Sequence, residues 1–462
     1  MATSNCPKKL VSLFFLAQFA PMNAPAIPQV EQKLIRALGV PTLTANIVNT
    51  TIGAGIFVIP ATVSGYLGTA APLAFLACAI AMALIVTSFA IAGSRVSLTG
   101  GLYAYVEVAF GRYVGFLAGI LFFLTAILSV SGVVSVFAGS LGALAPPLAT
   151  RIGHFVIVLF VFGSLAWINI RGVRAGARAV DTVTLIKLVP LIIFVVIGVF
   201  FIRPNAIAWP GWPGTKALGD SVLLLIFAFA GIEVALAPSG EVKNPARTVP
   251  RAIFTALTIT TFLYIMIQLV AQGILGSELA NYPAAPLAEA AARFLGNAAR
   301  TLMLAGATIS AFGFVTSDIL SSPRILFAFG RDGVLPAWFT HVHSRFHTPD
   351  VAILTYCAIT VVLSLSSTFQ QLAILANVAV LLLYILCCAA ALELMRRNVQ
   401  GDGPAFTFPG AKVVPILAIF VIIWILTHAT VKEFAVTAAC LGVASLLFLL
   451  RRLVTAKTGK AQ

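Results

Sequence analysis

The sequence predicts an all-α polytopic membrane protein with twelve transmembrane helices. Three observations carry this: the composition, a recurring length of apolar run, and an uneven distribution of positive charge. Of 462 residues, 60% are hydrophobic and 9% charged, and the mean hydropathy is +1.05, well beyond a soluble domain. A hydrocarbon core about 30 Å thick needs roughly 20 apolar residues per helix. Such runs recur at 43–67, 70–93, 114–145, 152–170, 182–202, 219–241, 250–276, 296–328, 350–367, 370–395, 412–430 and 433–450. Of the 29 lysines and arginines, 22 fall in the N-terminal and C-terminal tails and the joints on their side. Six (Arg151, Arg203, Lys216, Arg293, Arg300, Lys432) fall on the other side, and Lys187 lies within a span. By the positive-inside rule this places both termini in the cytoplasm and the chain in the cytoplasmic membrane as a multi-pass protein. The net charge of +15 is therefore a topology signal and not the footprint of a nucleic-acid partner.

Residues 1–42 precede the first span. Lys8 to Ala20, KKLVSLFFLAQFA, has the charged and apolar parts of a signal peptide, but the apolar part is short and a spanning segment follows. The expectation is a cytoplasmic tail, with Met22 as an alternative start. The joints Gly93–Arg112 and Gly330–Asp350 are the largest on the cytoplasmic side and leave no room for a catalytic domain. The chain is not expected to be an enzyme. His341, His343 and His347 have metal-compatible spacing, yet no Cys or acidic residue is interleaved, so a solvated loop is expected and no metal or cofactor. Of the six cysteines, Cys78, Cys357, Cys387, Cys388 and Cys440 fall in apolar spans as small hydrophobes, leaving Cys6 in the tail and no disulfide framework. Gly111, Gly115 and Gly119, spaced by four, are expected to be a helix-packing stripe.

The first span contains NTTIGAGIFVIP, Asn49 to Pro60, with Gly53 and Gly55 near its middle. A dinucleotide fingerprint would need a third glycine at position 58 and a preceding strand, and Val58 sits inside a membrane span. Two readings stand: a packing surface of small residues, or an unwound segment lining a polar cavity. The sixth span repeats the feature with Ala228, Ala230 and Gly231. Two interrupted helices five spans apart are what an inverted repeat produces, because an odd number of spans reverses the second copy. The chain then divides into a first repeat at 43–202, a second at 203–396 with its preceding external loop, two additional helices at 397–453, and a tail at 454–462. Glu233 follows the second interruption at once, ten residues before Lys243. A carboxylate at that depth faces a cavity or a partner, as a proton acceptor, as a neighbour of a substrate ammonium, or as a hydrogen-bonded brace for the break.

These segments resemble the amino acid, polyamine and organocation transporter superfamily. IGAGIFVIPA (Ile52–Ala61) is similar to its first-helix signature, and FAFAGIEVALAPSGEVKNPARTVPRA (Phe227–Ala252) to its sixth helix and following loop. SLTGGLYAYVEVAFGRYVGFLAG (Ser97–Gly119) and SSPRILFAFGRDGVLP (Ser321–Pro336) match other recurrent segments. The resemblance implies five-plus-five inverted repeats, alternating access, and substrate at the midplane between helices one and six. Unwinding at Gly53–Gly55 would present the amides of Ala54, Gly55 and Ile56 to a carboxylate. Carbonyls of Thr51, Ile52, Phe227, Ala228 and Ala230 would accept an α-ammonium group. Phe227 and Phe229 are candidate walls or gates, although with 34 phenylalanines a core role competes.

Two more intramembrane charges are candidates for ion coupling beside Glu233. Lys187 resembles the family's fifth-helix lysine, which stands where sodium-coupled relatives bind an ion, and so implies sodium independence; snorkelling to the interface is the alternative. Asp318 precedes Arg324 by six residues as Lys187 follows Asp181 by six, so the two charges are expected at one depth and to pair. The alternative is a bond from Asp318 to Ser321 or Ser322 of its own helix. The expected function is secondary transport of an α-amino acid by proton symport or exchange, with the lipid bilayer and a small amino acid or amine as partners. A cationic amino acid or polyamine antiporter and a non-transporting amino acid sensor remain as alternatives. His154 and His428 are expected to be isolated near opposite span ends.

Overall fold

The computed structural model describes residues 39–96, 101–171, 176–208, 211–236, 242–331, 335–401 and 404–458. Lys8–Ala20, Met22 and Cys6 lie outside them, as do Ser97–Gly100 of one motif segment. The first helical stretch is broken: α1 is Val40–Thr51 and α2 is Gly55–Leu67. After α2 come α3 (Ala71–Gly93), α4 (Leu102–Phe110), α5 (Arg112–Leu144), α6 (Arg151–Arg171) and α7 (Gly176–Gly198). The second broken stretch is α8 (Thr215–Phe229) followed by the single turn α9 (Ile232–Ala235). The remaining helices are α10 (Pro245–Leu275), α11 (Pro286–Ser321), α12 (Pro323–Arg331), α13 (Asp350–Ser366), α14 (Phe369–Arg396), α15 (Val413–Leu426) and α16 (Val431–Thr458). No β-strand occurs among the described residues. Among the described residues eight helical stretches are long and apolar enough to cross a membrane, and Lys187–Phe201, Asp350–Ser366 and Val413–Leu426 are shorter apolar helices.

Local chemistry sets the element ends. Helix α10 begins at Pro245, five residues earlier than the apolar run suggests, behind a left-handed Asn244 (φ 44°). Pro245 suits a first turn because its missing N–H has no intrahelical acceptor there, and Pro250 is absorbed inside the helix. Gly296 (φ 70°) kinks α11, so the stretch expected as one span at 296–328 starts ten residues earlier and ends at Ser321, with α12 separate. A capping box starts α14: Thr368 accepts from the Gln371 amide at 3.3 Å, and the Gln371 side chain accepts from the Thr368 amide at 3.0 Å. Gly111 is no packing residue. It turns the chain from α4 into α5 at φ 85°, and a Cβ there would meet nothing within 4 Å. Gly115 is one, since a Cβ would stand 2.8 Å from the Glu107 side chain.

The long helix α5 packs against α14, α11, α13 and α4, while α10 packs against α3, α1 and α7. The two interrupted helices lie between these groups, with α8 against α2, α3 and α14, and α9 against α1. Cys78, Cys357, Cys387 and Cys388 are buried free thiols and Cys440 is half-buried. His428 is not isolated: its Nδ1 lies 3.2 Å from Asp220 Oδ1, and Asp220 also pairs with Lys216 at 2.8 Å.

Candidate functional site

The two helix breaks meet. Gly231, between α8 and α9, has φ 116°, and a Cβ on it would stand 2.6 Å from the Thr50 carbonyl oxygen. Only glycine combines that left-handed backbone with so close a crossing. Tyr264 of α10 is fully buried, and its hydroxyl lies 3.1 Å from the Thr51 carbonyl and 2.9 Å from the Ala228 carbonyl. A single buried hydroxyl thus faces one carbonyl from each break.

The remaining backbone groups are unevenly provided for. The Ile52 amide donates to Val48 O and the Gly53 amide to Thr51 O, both at 2.9 Å. Gly55 and Ile56 open α2, where no intrahelical acceptor exists for their amides. Among the described residues no backbone donor outside the helices reaches the Ile52 or Phe227 carbonyl. Gly53 is half-buried and a Cβ there would meet nothing within 4 Å, so the space beside it is open. At Gly55 a Cβ would meet the Phe227 ring at 3.1 Å. Phe227 is half-buried and stands edge-on to Phe369, with centroids 5.3 Å apart. Its ring therefore stands beside Gly55 of the other break.

Other expectations land differently. Phe229 is fully buried and packs edge-on against Tyr264 at 5.2 Å, which leaves it no surface for a gate. Ile52, Ala54 and Ile56 bury their side chains in the core, so only their backbone atoms are candidates. Ala230 is half-buried in extended conformation (ψ 158°) at the end of α8. Glu233 is buried, and both carboxylate oxygens accept from the Gly231 amide at 3.0 Å; the Tyr384 hydroxyl donates to Oε2 at 2.8 Å. Those donors hold its carboxylate against the break, the arrangement a brace needs.

Lys187 and Asp318 do not pair. The Lys187 ammonium donates to the Asn49 carbonyl at 2.6 Å, two residues before the end of α1. Asp318 accepts from Ser322 at 2.8 Å through Oδ1 and from the Tyr356 hydroxyl through Oδ2, with Phe123 edge-on to Tyr356 at 6.0 Å. Each charge meets its desolvation cost with local dipoles instead of a distant opposite charge. Among the described residues no group of three metal-ligating side chains exists, and His341 contacts Asp350 at 2.7 Å.

Tyr264, Tyr384, Tyr356 and the crossing at Gly231 are absent from the sequence-derived site. The available signal was a tyrosine near the middle of an apolar run, as in FLYIM and LLLYIL, since a buried phenolic hydroxyl needs a partner.

The family model described as amino acid permease matches residues 38–437. The chain is 29% identical to the serine/threonine exchanger SteT of Bacillus subtilis, over 81% of this chain and 86% of that protein. It is 26% identical to the branched-chain amino acid permease BcaP of the same organism, over 86% and 89%. It is also 26% identical to the Bacillus subtilis methylthioribose transporter, over 87% and 90%.

Proposed function

The chain belongs to the amino acid permease family, and from that premise we propose that it is a sodium-independent secondary transporter of α-amino acids, working by exchange or proton symport. The carrying observation is the meeting of two broken helices at Gly231 and Thr50 beside open space at Gly53. An α-amino acid bears an ammonium and a carboxylate on one carbon. The carboxylate would take the amides of Ala54, Gly55 and Ile56 at the positive end of α2. The ammonium would take the carbonyls of Ile52, Phe227 and Ala230, while Thr51 and Ala228 hold Tyr264. Recognition of the common backbone leaves the side chain to the walls, of which Phe227 is one.

The relatives are a serine/threonine exchanger and a branched-chain amino acid permease by name, so small neutral and aliphatic amino acids are the first substrates to try. A cationic substrate has less support, because the acid that would select it, Glu233, already accepts from Gly231 and Tyr384. The same reading takes the chain as twelve crossing helices, two inverted repeats of five and two more, with both termini cytoplasmic. Lys187, on the Asn49 carbonyl, fills the place beside the break that a coupling cation would need.

The test is uptake of labelled serine, threonine, leucine and alanine into proteoliposomes holding unlabelled amino acid, with lysine, arginine and putrescine as competitors. Saturable uptake inhibited by the neutral set and not by the cations is expected. Binding without flux would replace the transporter reading with a sensor, and inhibition by the cations alone would move the substrate class.

A further inference from the structure

Beside α3 lies a cleft of about 420 Å³ whose walls include Ala83, Leu84 and Thr87 of α3, Phe254 of α10, Phe406 of the following loop, and Val414 of α15. The Thr87 hydroxyl donates to its own helix at Ala83 O (2.6 Å), so the lining is almost wholly apolar. Ile80 at its edge is 58% exposed, which opens the cleft to the outside of the bundle and not to the helix breaks. In a chain of this family that outside is lipid.

Three exposed cations continue the helix faces and chain that wall the same cleft. Arg251 precedes Phe254 by three residues and Arg247 precedes Arg251 by four, so one stripe of α10 runs from two arginines into the cleft wall. On the facing side Lys412 precedes Val414 by two. All three are exposed, and none forms an ion pair among the described residues. On the orientation expected from the positive-charge bias, this rim lies at the cytoplasmic leaflet, where anionic lipids attract basic groups.

We propose that the cleft binds an anionic phospholipid, with one acyl chain against α3, Phe254 and Phe406, and its phosphate between Arg247, Arg251 and Lys412. An apolar slot ending in three cations matches a tail ending in a phosphate. A zwitterionic lipid fits the slot but gains less from the rim, and a second copy of this chain would bring its own arginines against these. The bound lipid ties α15 to α3 and α10, the helices packed around the broken pair.

Detergent-purified full chain is titrated with dioleoylphosphatidylglycerol and with dioleoylphosphatidylcholine, and retention is read by native mass spectrometry and melting temperature. Phosphatidylglycerol should be retained more strongly and raise the melting temperature further. The variant Arg247→Gln/Arg251→Gln/Lys412→Gln should lose about fivefold in phosphatidylglycerol affinity per cation, from roughly 1 kcal/mol each, with phosphatidylcholine unchanged. The charge-preserving Arg247→Lys/Arg251→Lys/Lys412→Arg should bind as the wild type does, and Ala83→Phe should weaken both lipids. Equal retention of the two lipids, a neutralised variant that binds phosphatidylglycerol undiminished, loss of binding in the charge-preserving variant, or a lipid-free dimer abolished by Ala83→Phe would overturn the proposal.

Discussion

At Gly231 an added Cβ would stand 2.6 Å from a carbonyl oxygen on a φ of 116°, whereas at Gly53 it would meet nothing within 4 Å. The two glycines therefore fail differently when replaced. Gly231→Ala should cost on the order of 1–3 kcal/mol in backbone strain and part the two breaks, so both melting temperature and uptake fall. Gly53→Leu should melt as the wild type does and still lose uptake, because its side chain fills the space a substrate needs. Wild-type affinity in Gly53→Leu would return this residue to helix packing. Glu233 admits a similar separation. Glu233→Gln keeps an acceptor for the Gly231 amide, and Glu233→Ala leaves that amide buried without one, at about 1–3 kcal/mol. A brace predicts that Gln retains most uptake with an unchanged pH profile and that Ala loses it; a proton carrier predicts that Gln flattens the profile. Gly53, Gly55 and Glu233 were legible in the sequence because each is anomalous inside an apolar run. Gly231 was visible as a small residue, but its importance lies in the crossing with Thr50, 181 positions away in number and set only by packing.

Helices end where the sequence supplies an ending, and here several endings are arginines. Arg95, just past α3, is buried and donates to the Val399 carbonyl at 3.0 Å, while Arg397, just past α14, donates to the Val108 and Ala109 carbonyls at 3.1 and 3.3 Å. Each stem crosses from the end of one helix to the end of another segment. A cation also suits the negative end of a helix dipole. Arg95→Met should lower the melting temperature while leaving substrate affinity intact in the protein that folds, and Arg95→Lys should recover part of the loss. An unchanged melting temperature in Arg95→Met would show that the bond carries no stability. Charge bias alone reads these arginines as markers of sidedness, because counting a charge says nothing of where its guanidinium reaches. The spans themselves were legible, since apolar runs and their joints follow from bilayer thickness. The misplaced ends, Pro245 and Ser321, are governed by proline and glycine backbone geometry that hydropathy does not register.

Across the whole molecule, transport demands that whatever ion or substrate drives the cycle be released and rebound as the bundle rearranges, so a substrate-site charge must lie near the breaks, whereas a proton site need only change its surroundings in the cycle. Lys187 meets the first condition through Asn49, two residues from the end of α1. The Asp318 carboxylate instead accepts from Ser322, just past α11, and from Tyr356 of α13. The two charges therefore sit apart: an ammonium at the break, which under the sodium-independent reading would stand in place of a metal cation, and a carboxyl between Ser322 and Tyr356, which the proton-symport reading would use. Replacing sodium by choline should leave initial uptake into proteoliposomes unchanged, and a several-fold fall would remove sodium independence. Under exchange, uptake should need amino acid inside the vesicle and ignore a protonophore. Under proton symport, an inward proton gradient should drive accumulation without internal amino acid, and Asp318→Asn should abolish that response while substrate binding persists. Gradient-driven accumulation that survives Asp318→Asn would deny this carboxyl a coupling role and leave Glu233, the buried acid among the described residues, for the proton.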